Sequence, residues 1–180
     1  LAISLGTFLK ELHSLPTKSL VDSGLCGDTL DRLSISVRNP MSFKRLNDLH
    51  ELGFLKDLKL LNKYLDAIQK EVKAAKEVLV HGDLYSRHLL FDSHRDLCGV
   101  IDWGDVHMGN AAVDLAIAHI VLPVKYHDTF LTSYGEVGSS TWLLSRMRAI
   151  WHTIFVALYA IDIKDENLIE AARTAFEFIA

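Results

Sequence analysis

Cysteine is scarce in this 180-residue sequence: Cys26 and Cys98 lie far apart and form neither a CxxC pair nor a Cys/His ligand spacing. Neither a disulfide framework nor a structural zinc site is indicated, and a reducing cytoplasm is the expected setting. Proline occurs three times, and no Pro-rich linker, repeat or low-complexity run divides the chain. Long apolar runs are missing too. The most apolar stretch, Ala149 to Ile163, carries His152 and Asp162. It falls short of the ~20 apolar residues a membrane-spanning helix needs, so it reads as a buried helix and no membrane partner is expected. Basic charge is not in excess: 19 Lys and Arg stand against 23 Asp and Glu, net −4. That balance offers no field for a polyanion and argues against nucleic acid as a partner. The sequence opens on Leu1, with no basic segment and small-residue cleavage site behind it. The expectation is a fragment of a longer protein.

What is present is the composition of an ordinary globular domain, 49% hydrophobic and 23% charged, in a length that fits one unit. Leu1, Leu5, Phe8, Leu9 and Leu12 recur at helical spacing before Pro16. From Thr17 to Pro40 the pattern weakens to loop plus one short helix around Asp28 to Val37. A further short helix is expected over Ser42 to Leu52. After Gly53 comes a long one, in which Leu55, Leu58, Leu61, Leu65, Ile68 and Val72 form a stripe. Three short apolar runs then read as strands: Val78 to Val80, His88 to Phe91 and Cys98 to Ile101, with turn residues Asp92, Ser93 and Asp96 between the last two. Helical spacing returns in Ala111 to Val121, Tyr126 to Tyr134, Thr141 to Ile161 and Glu166 to Phe178, with Asn110, Ser140 and Asp165 as N-caps. The fold class is α+β, mainly α: a helical body with a small β insertion.

The unusual polar residues gather in that insertion. His81-Gly82-Asp83-Leu84-Tyr85-Ser86-Arg87-His88 lies between two apolar runs, a loop held at both ends. Further on, Ile101-Asp102-Trp103-Gly104-Asp105 puts an acid at the end of an apolar strand. Phosphoryl transfer needs a carboxylate to orient the attacking hydroxyl and accept its proton, and ligands that hold Mg²⁺ against nucleotide phosphates. Asp83, His88 and Asp102 have suitable types in the order of the protein-kinase strings H-R-D-x-x-x-x-N and D-F-G. Alone, His-Gly-Asp is a weak signal that an Asx turn would explain. Two motifs in order, each at a strand end, are far more specific.

His-Gly-Asp with a ligand five residues on, then Gly99-Val100-Ile101-Asp102-Trp103 and Asp114-Leu115-Ala116, resembles the aminoglycoside/macrolide phosphotransferase family of the kinase-like superfamily. Leu5 to His13 is similar to that family's first helix of the C-terminal lobe, so the resemblance spans most of the chain. Most members carry Asn where this sequence has His88. Macrolide 2'-phosphotransferases carry His there, with an acid two residues beyond the tryptophan of the Ile-Asp-Trp string, as Asp105 stands here. The resemblance implies the C-terminal lobe of a kinase-like fold over residues 1–180, with the N-terminal nucleotide-binding lobe absent from this chain.

It also implies Asp83 as general base, His88 and Asp102 as metal ligands, Mg²⁺ as cofactor and ATP or GTP as donor to a small-molecule hydroxyl, on a macrolide or an aminoglycoside. Mg²⁺ prefers oxygen, and imidazole is a softer ligand. His88 therefore either binds metal as neutral imidazole or donates its N–H to a phosphate oxygen. His81 and Asp114 are expected to brace the loop. Asp105 is either a solvated loop acid or a partner for a cationic amine on the substrate. Trp103, Trp142, Trp151, Phe155 and Tyr159 line a substrate pocket or belong to ordinary core, and His119, His127 and His152 show no ligand spacing. No Gly-rich phosphate loop or strand-borne Lys precedes His81, so the fragment alone is expected to turn over little or nothing. Surface bared by a missing lobe would favour self-association. The alternatives are a catalytically silent pseudokinase-like module and, further off, a metal-dependent phosphohydrolase.

Overall fold

The computed structural model describes residues 1–22, 24–67 and 76–180. Its centre is helix α5 (Ala112–Val121), in which every residue from Ala112 to Ile120 is buried, Asp114 and His119 included. Around it pack α1 (Ala2–His13), α6 (His127–Tyr134), α7 (Ser139–Ile163) and α8 (Glu166–Ile179). Each presents an apolar stripe to the centre. In α1 the stripe is Leu5, Leu9 and Leu12; in α8 it is Leu168, Ala172, Ala175, Phe176 and Ile179. Small residues set the spacing: a Cβ on Gly6 would lie 2.6 Å from the Phe130 carbonyl, so α1 and α6 approach with backbone nearly touching. Burying each leucine of this core contributes about 2 kcal/mol.

The cap of α8 is as the sequence implies, with the Asp165 carboxylate accepting from Leu168 N at 3.0 Å. Asn110 Oδ1 accepts from Ala112 N at 2.9 Å at the start of α5. Ser140, expected to cap α7, lies inside it, because the helix begins a residue earlier with Gly138 at the cap.

The early helices differ from expectation. The helix expected over Asp28 to Val37 is absent from Asp28 to Ser34, and only its last three residues are helical, as the start of α3. The Asp28 carboxylate takes Leu30 N and Arg32 N, an Asx-type turn that consumes those donors, and α3 then runs from Ile35 to Glu51 through Pro40. Proline forfeits one helix hydrogen bond there, and Ile35, Leu46 and Leu49 bury their side chains regardless. Short α2 (Thr17–Asp22) was unmarked in the sequence pattern. Helix α4 spans Lys59–Asp66, starting late because Asp57 Oδ1 accepts from Lys59 N. Leu61 and Leu65 of the stripe are buried; Ile68 and Val72 lie outside the described residues.

The β part forms two antiparallel pairs. Strand β1 (Val78–Val80) pairs with β4 (His107–Gly109), and β2 (Leu89–Phe91) with β3 (Leu97–Val100). Between β2 and β3, Asp92 Oδ1 accepts from both His94 N and Asp96 N, closing the expected turn. Strand β4 escapes sequence reading because three residues holding a His and a Gly carry no alternation. It exists through pairing with β1 and the Met108 N bond to the Cys26 carbonyl, 2.9 Å. His88 does not begin β2; it closes a 3-10 turn, Ser86–His88, because its ring bonds back to the loop. Among the described residues no helix is long and apolar enough to cross a membrane.

Two histidines in the core give the fold a pH signature. His119 Nε2–H donates to Ser145 Oγ at 3.0 Å, since that hydroxyl is itself donating to the Trp142 carbonyl, and Nδ1 has no hydrogen-bond partner among the described residues. Burial holds His119 well below its usual value of 6.5, and the Arg146 charge and His127 add to this; burial also lowers His127, opposed by its bond to the Leu122 carbonyl. A histidine depressed in the folded state binds fewer protons than in the unfolded chain. Its contribution is therefore complete above pH 6.5 and is lost as pH falls below it. Urea denaturation should give a stability plateau from pH 7 to 8 and a decline below 6.5, by up to about 1.4 kcal/mol per pH unit for each histidine. His119→Gln should flatten the decline; an equally steep one in that variant would refute the assignment.

Candidate active site

The loop from His81 to Tyr85 leaves β1 and enters the 3-10 turn before β2, so both ends are tied to sheet. Its anchor is Asp114, fully buried in the first turn of α5. Oδ2 accepts from His81 N at 2.7 Å and Oδ1 from Gly82 N at 3.0 Å, while His13 Nε2 lies 3.2 Å from Oδ2. The helix N-terminus adds its favourable field for a carboxylate. His13 Nδ1 in turn contacts Tyr134 Oη at 2.8 Å, and burial plus the Asp114 charge push the Tyr134 phenol up to about 12. Gly82 has φ +89°, and a Cβ there would stand 2.2 Å from the Asp105 carbonyl. Only glycine lets the loop lie against the 105–107 segment.

His81, fully buried, donates Nε2–H to the Ile101 carbonyl at 2.9 Å, joining the loop to the residue before Asp102. His88 closes the circle. Its Nδ1–H donates to the Asp83 carbonyl at 2.7 Å, and its Nε2 stands 3.3 Å from Asp102 Oδ2. The tautomer fixed by the first bond leaves a lone pair on neutral Nε2 facing a carboxylate oxygen. Two acceptors so placed repel unless a cation, either a proton or a metal ion, lies between them.

Asp102 is exposed and holds φ +65°, ψ +63°, a left-handed conformation uncommon outside glycine. Strain of that kind collects at functional sites. The Asp83 carboxylate is half-buried and makes no hydrogen bond to any described residue. Burial raises the Tyr85 phenol, the charges of Asp83 and Asp102 reinforce the shift and Arg87 opposes it. The Tyr85 and His88 rings are 4.3 Å apart. Asp83, His88 and Asp102 thus come together. Among the described residues no group of three His, Cys, Asp or Glu side chains forms a metal cage. His88 and Asp102 are the residues that could hold a divalent cation: two protein donors would suit Mg²⁺ completed by phosphates and water, with Asp102 the better-matched atom type.

Asp105 lies off this centre: its Oδ1 accepts from Arg32 Nη2 at 2.8 Å, and Arg32 also pairs with Asp28. Arg32 was missed in the sequence, although Asp28 and Arg32 stand at helical i, i+4 spacing. Tyr85 was missed as well. Trp151, Trp142 and Trp103 separate by environment: Trp151 is core, Trp142 packs on His119, and Trp103 is half-exposed against His81, with ring centroids 4.7 Å apart.

A helical lobe with a β part of two antiparallel pairs, carrying an acid in the loop after β1 and an acid after β3, has the fold of a kinase-like lobe. The chain belongs to the phosphotransferase enzyme family, whose model matches residues 1–150. It is similar in structure to macrolide 2'-phosphotransferase type I, at 26% identity and TM-score 0.57, covering 96% of this chain and 57% of that one. The GDP complex of aminoglycoside 2'-phosphotransferase-IIIa matches at 19% identity and TM-score 0.62, covering 99% and 60%. The uncharacterized protein YcbJ of Bacillus subtilis is 26% identical over 102 residues, 54% of this chain and 33% of its own length. The chain therefore spans a third of that curated relative and less than two thirds of these solved structures.

Removing the anchor should loosen the loop selectively. Asp114→Ala strands two buried N–H donors and His13, so a loss of about 3–5 kcal/mol is expected in chemical denaturation. The His81 and Gly82 amides should show the greatest gain in hydrogen exchange. Unchanged protection at those two amides would refute the anchoring role.

Proposed function

We propose that this chain is the C-terminal lobe of a longer small-molecule kinase, which transfers the γ-phosphoryl group of ATP or GTP to a hydroxyl of a small acceptor. The observation that carries the reading is the His88 ring, bonded to the Asp83 carbonyl at 2.7 Å and facing the Asp102 carboxylate at 3.3 Å. It joins the presumed base and the presumed metal ligand into one unit.

Asp83 is the general base. Its carboxylate is half-buried and unengaged, free to accept the proton of an incoming hydroxyl as the oxygen attacks phosphorus. Asp102 and His88 are the Mg²⁺ ligands; the ion, when bound, neutralises charge on the donor phosphates. His88 is held in the metal-binding tautomer by its Nδ1–H bond. His81 and Asp114 position the loop. The nucleotide-covering lobe belongs to the remainder of the parent protein, where the phosphate-pairing Lys would lie. The antibiotics in the names of the similar structures, macrolides and aminoglycosides, form the first acceptor panel.

The test is phosphoryl transfer by a two-lobed parent with ATP or GTP. Asp83→Asn should lower kcat at least about a hundredfold while leaving the melting temperature near that of the parent. Asp102→Asn should lower it comparably and weaken the Mg²⁺ dependence. Full activity in Asp83→Asn would remove the assigned base, and no nucleotide-dependent transfer to any hydroxyl compound would remove the kinase reading.

A further inference from the structure

Asp102 holds its left-handed backbone immediately before a 3-10 turn, Trp103–Asp105, and such a conformation persists only where the surroundings impose it. The turn does not impose it alone. Its closing bond, from Val106 N to the Trp103 carbonyl, is 3.4 Å, longer than a good N–H···O bond. On the side of the catalytic loop, His81 holds the Ile101 carbonyl and His88 faces the Asp102 carboxylate. The other end of the turn, at Asp105, is held from outside the β part, by Arg32 in the segment between α2 and α3.

Arg32 is buried, and its guanidinium gives one N–H to each of two carboxylates, Nη1 to Asp28 Oδ1 and Nη2 to Asp105 Oδ1, the latter at 2.8 Å. Asp28 also accepts the Arg32 backbone N–H at 2.6 Å, so one acid fixes both the main chain and the side chain of the arginine. The segment is tied to β4 by Met108 N and the Cys26 carbonyl, 2.9 Å, and to α3 by Arg38 Nη2 and the Leu30 carbonyl, 2.6 Å. The main chain of Asp105 faces the catalytic loop. Its carbonyl accepts from His107 Nδ1–H at 2.7 Å and lies where a Cβ on Gly82 would stand 2.2 Å away. Arg32 thus fixes both the turn that follows Asp102 and the wall against which the Asp83 loop lies. A guanidinium suits this task because its planar fork presents several N–H groups in fixed directions and serves two acceptors at once.

We propose that Arg32 is a positioning residue for phosphoryl transfer, acting through Asp105 to hold Asp102 beside His88. The inference rests on Asp102 being a metal ligand of a phosphotransferase. It assigns the Asp105 carboxylate to the turn and not to an amine of the acceptor.

Two arms test it. In this chain, without metal or nucleotide, Arg32→Met should speed amide exchange at Val106 and Met108 by about tenfold or more, while His81 and Gly82, anchored by Asp114, stay within about twofold. In the two-lobed parent, Asp105→Ala should lower kcat about tenfold and raise the Mg²⁺ concentration for half-maximal rate, with the acceptor KM within about twofold. Arg32→Lys should recover part of the loss seen in Arg32→Met. Added to Asp102→Asn, neither Arg32→Met nor Asp105→Ala should lower kcat further, because the group they position is already gone. Unchanged exchange at Val106 and Met108, a loss confined to the acceptor KM, or an equal loss of kcat with and without Asp102→Asn each overturns the proposal alone. No transfer by the unaltered parent overturns the kinase reading, and the proposal with it. Should Arg32→Met fail to fold, Asp105→Ala carries both arms, since it leaves the Asp28–Arg32 pair in place.

Discussion

A single buried carboxylate sets the geometry on which the rest depends. Asp114 sits in the most enclosed helix of the molecule and gives one oxygen to each of two consecutive backbone N–H groups of the loop that carries Asp83. A carboxylate in such a place would be costly if unpaired. Its cost is offset by those two donors, by His13 and by the helix N-terminus. The result is a loop whose backbone is fixed from below, so the Asp83 side chain need not be fixed by hydrogen bonds of its own. Rigidity of the loop backbone and freedom of the Asp83 carboxylate come from the same contact.

The histidines extend that frame sideways. His81 reaches the Ile101 carbonyl and His88 reaches both the Asp83 carbonyl and the Asp102 carboxylate, so the loop after β1 and the segment after β3 are laced through imidazoles. Backbone hydrogen bonds alone would leave each two-stranded pair marginal. Their stability comes from packing on α1 and α5 and from these side-chain links. Arrangement of the β part and arrangement of the chemistry are therefore one problem for the fold.

Sequence reading found what local pattern encodes. The stripe of α8 and its Asp165 cap, the Asp92 turn, and the spacing of Asp83, His88 and Asp102 were legible because each signal lies within one element or one pair of motifs. It erred where a distant partner decides. The helix expected at Asp28 gave way to a turn around that carboxylate, and β4 exists only through β1 and the segment at Cys26. Pro40 looked like a boundary, yet the burial of Ile35, Leu46 and Leu49 outweighs one lost hydrogen bond.

The left-handed backbone at Asp102 restricts this position independently of any chemistry. Side chains that tolerate that conformation are chiefly Gly, Asn and Asp, while β-branched and bulky residues are strongly disfavoured. Among sequences of this shape, Asn or Gly in that slot would leave the mould intact, whereas Val or Ile there would demand a rebuilt turn.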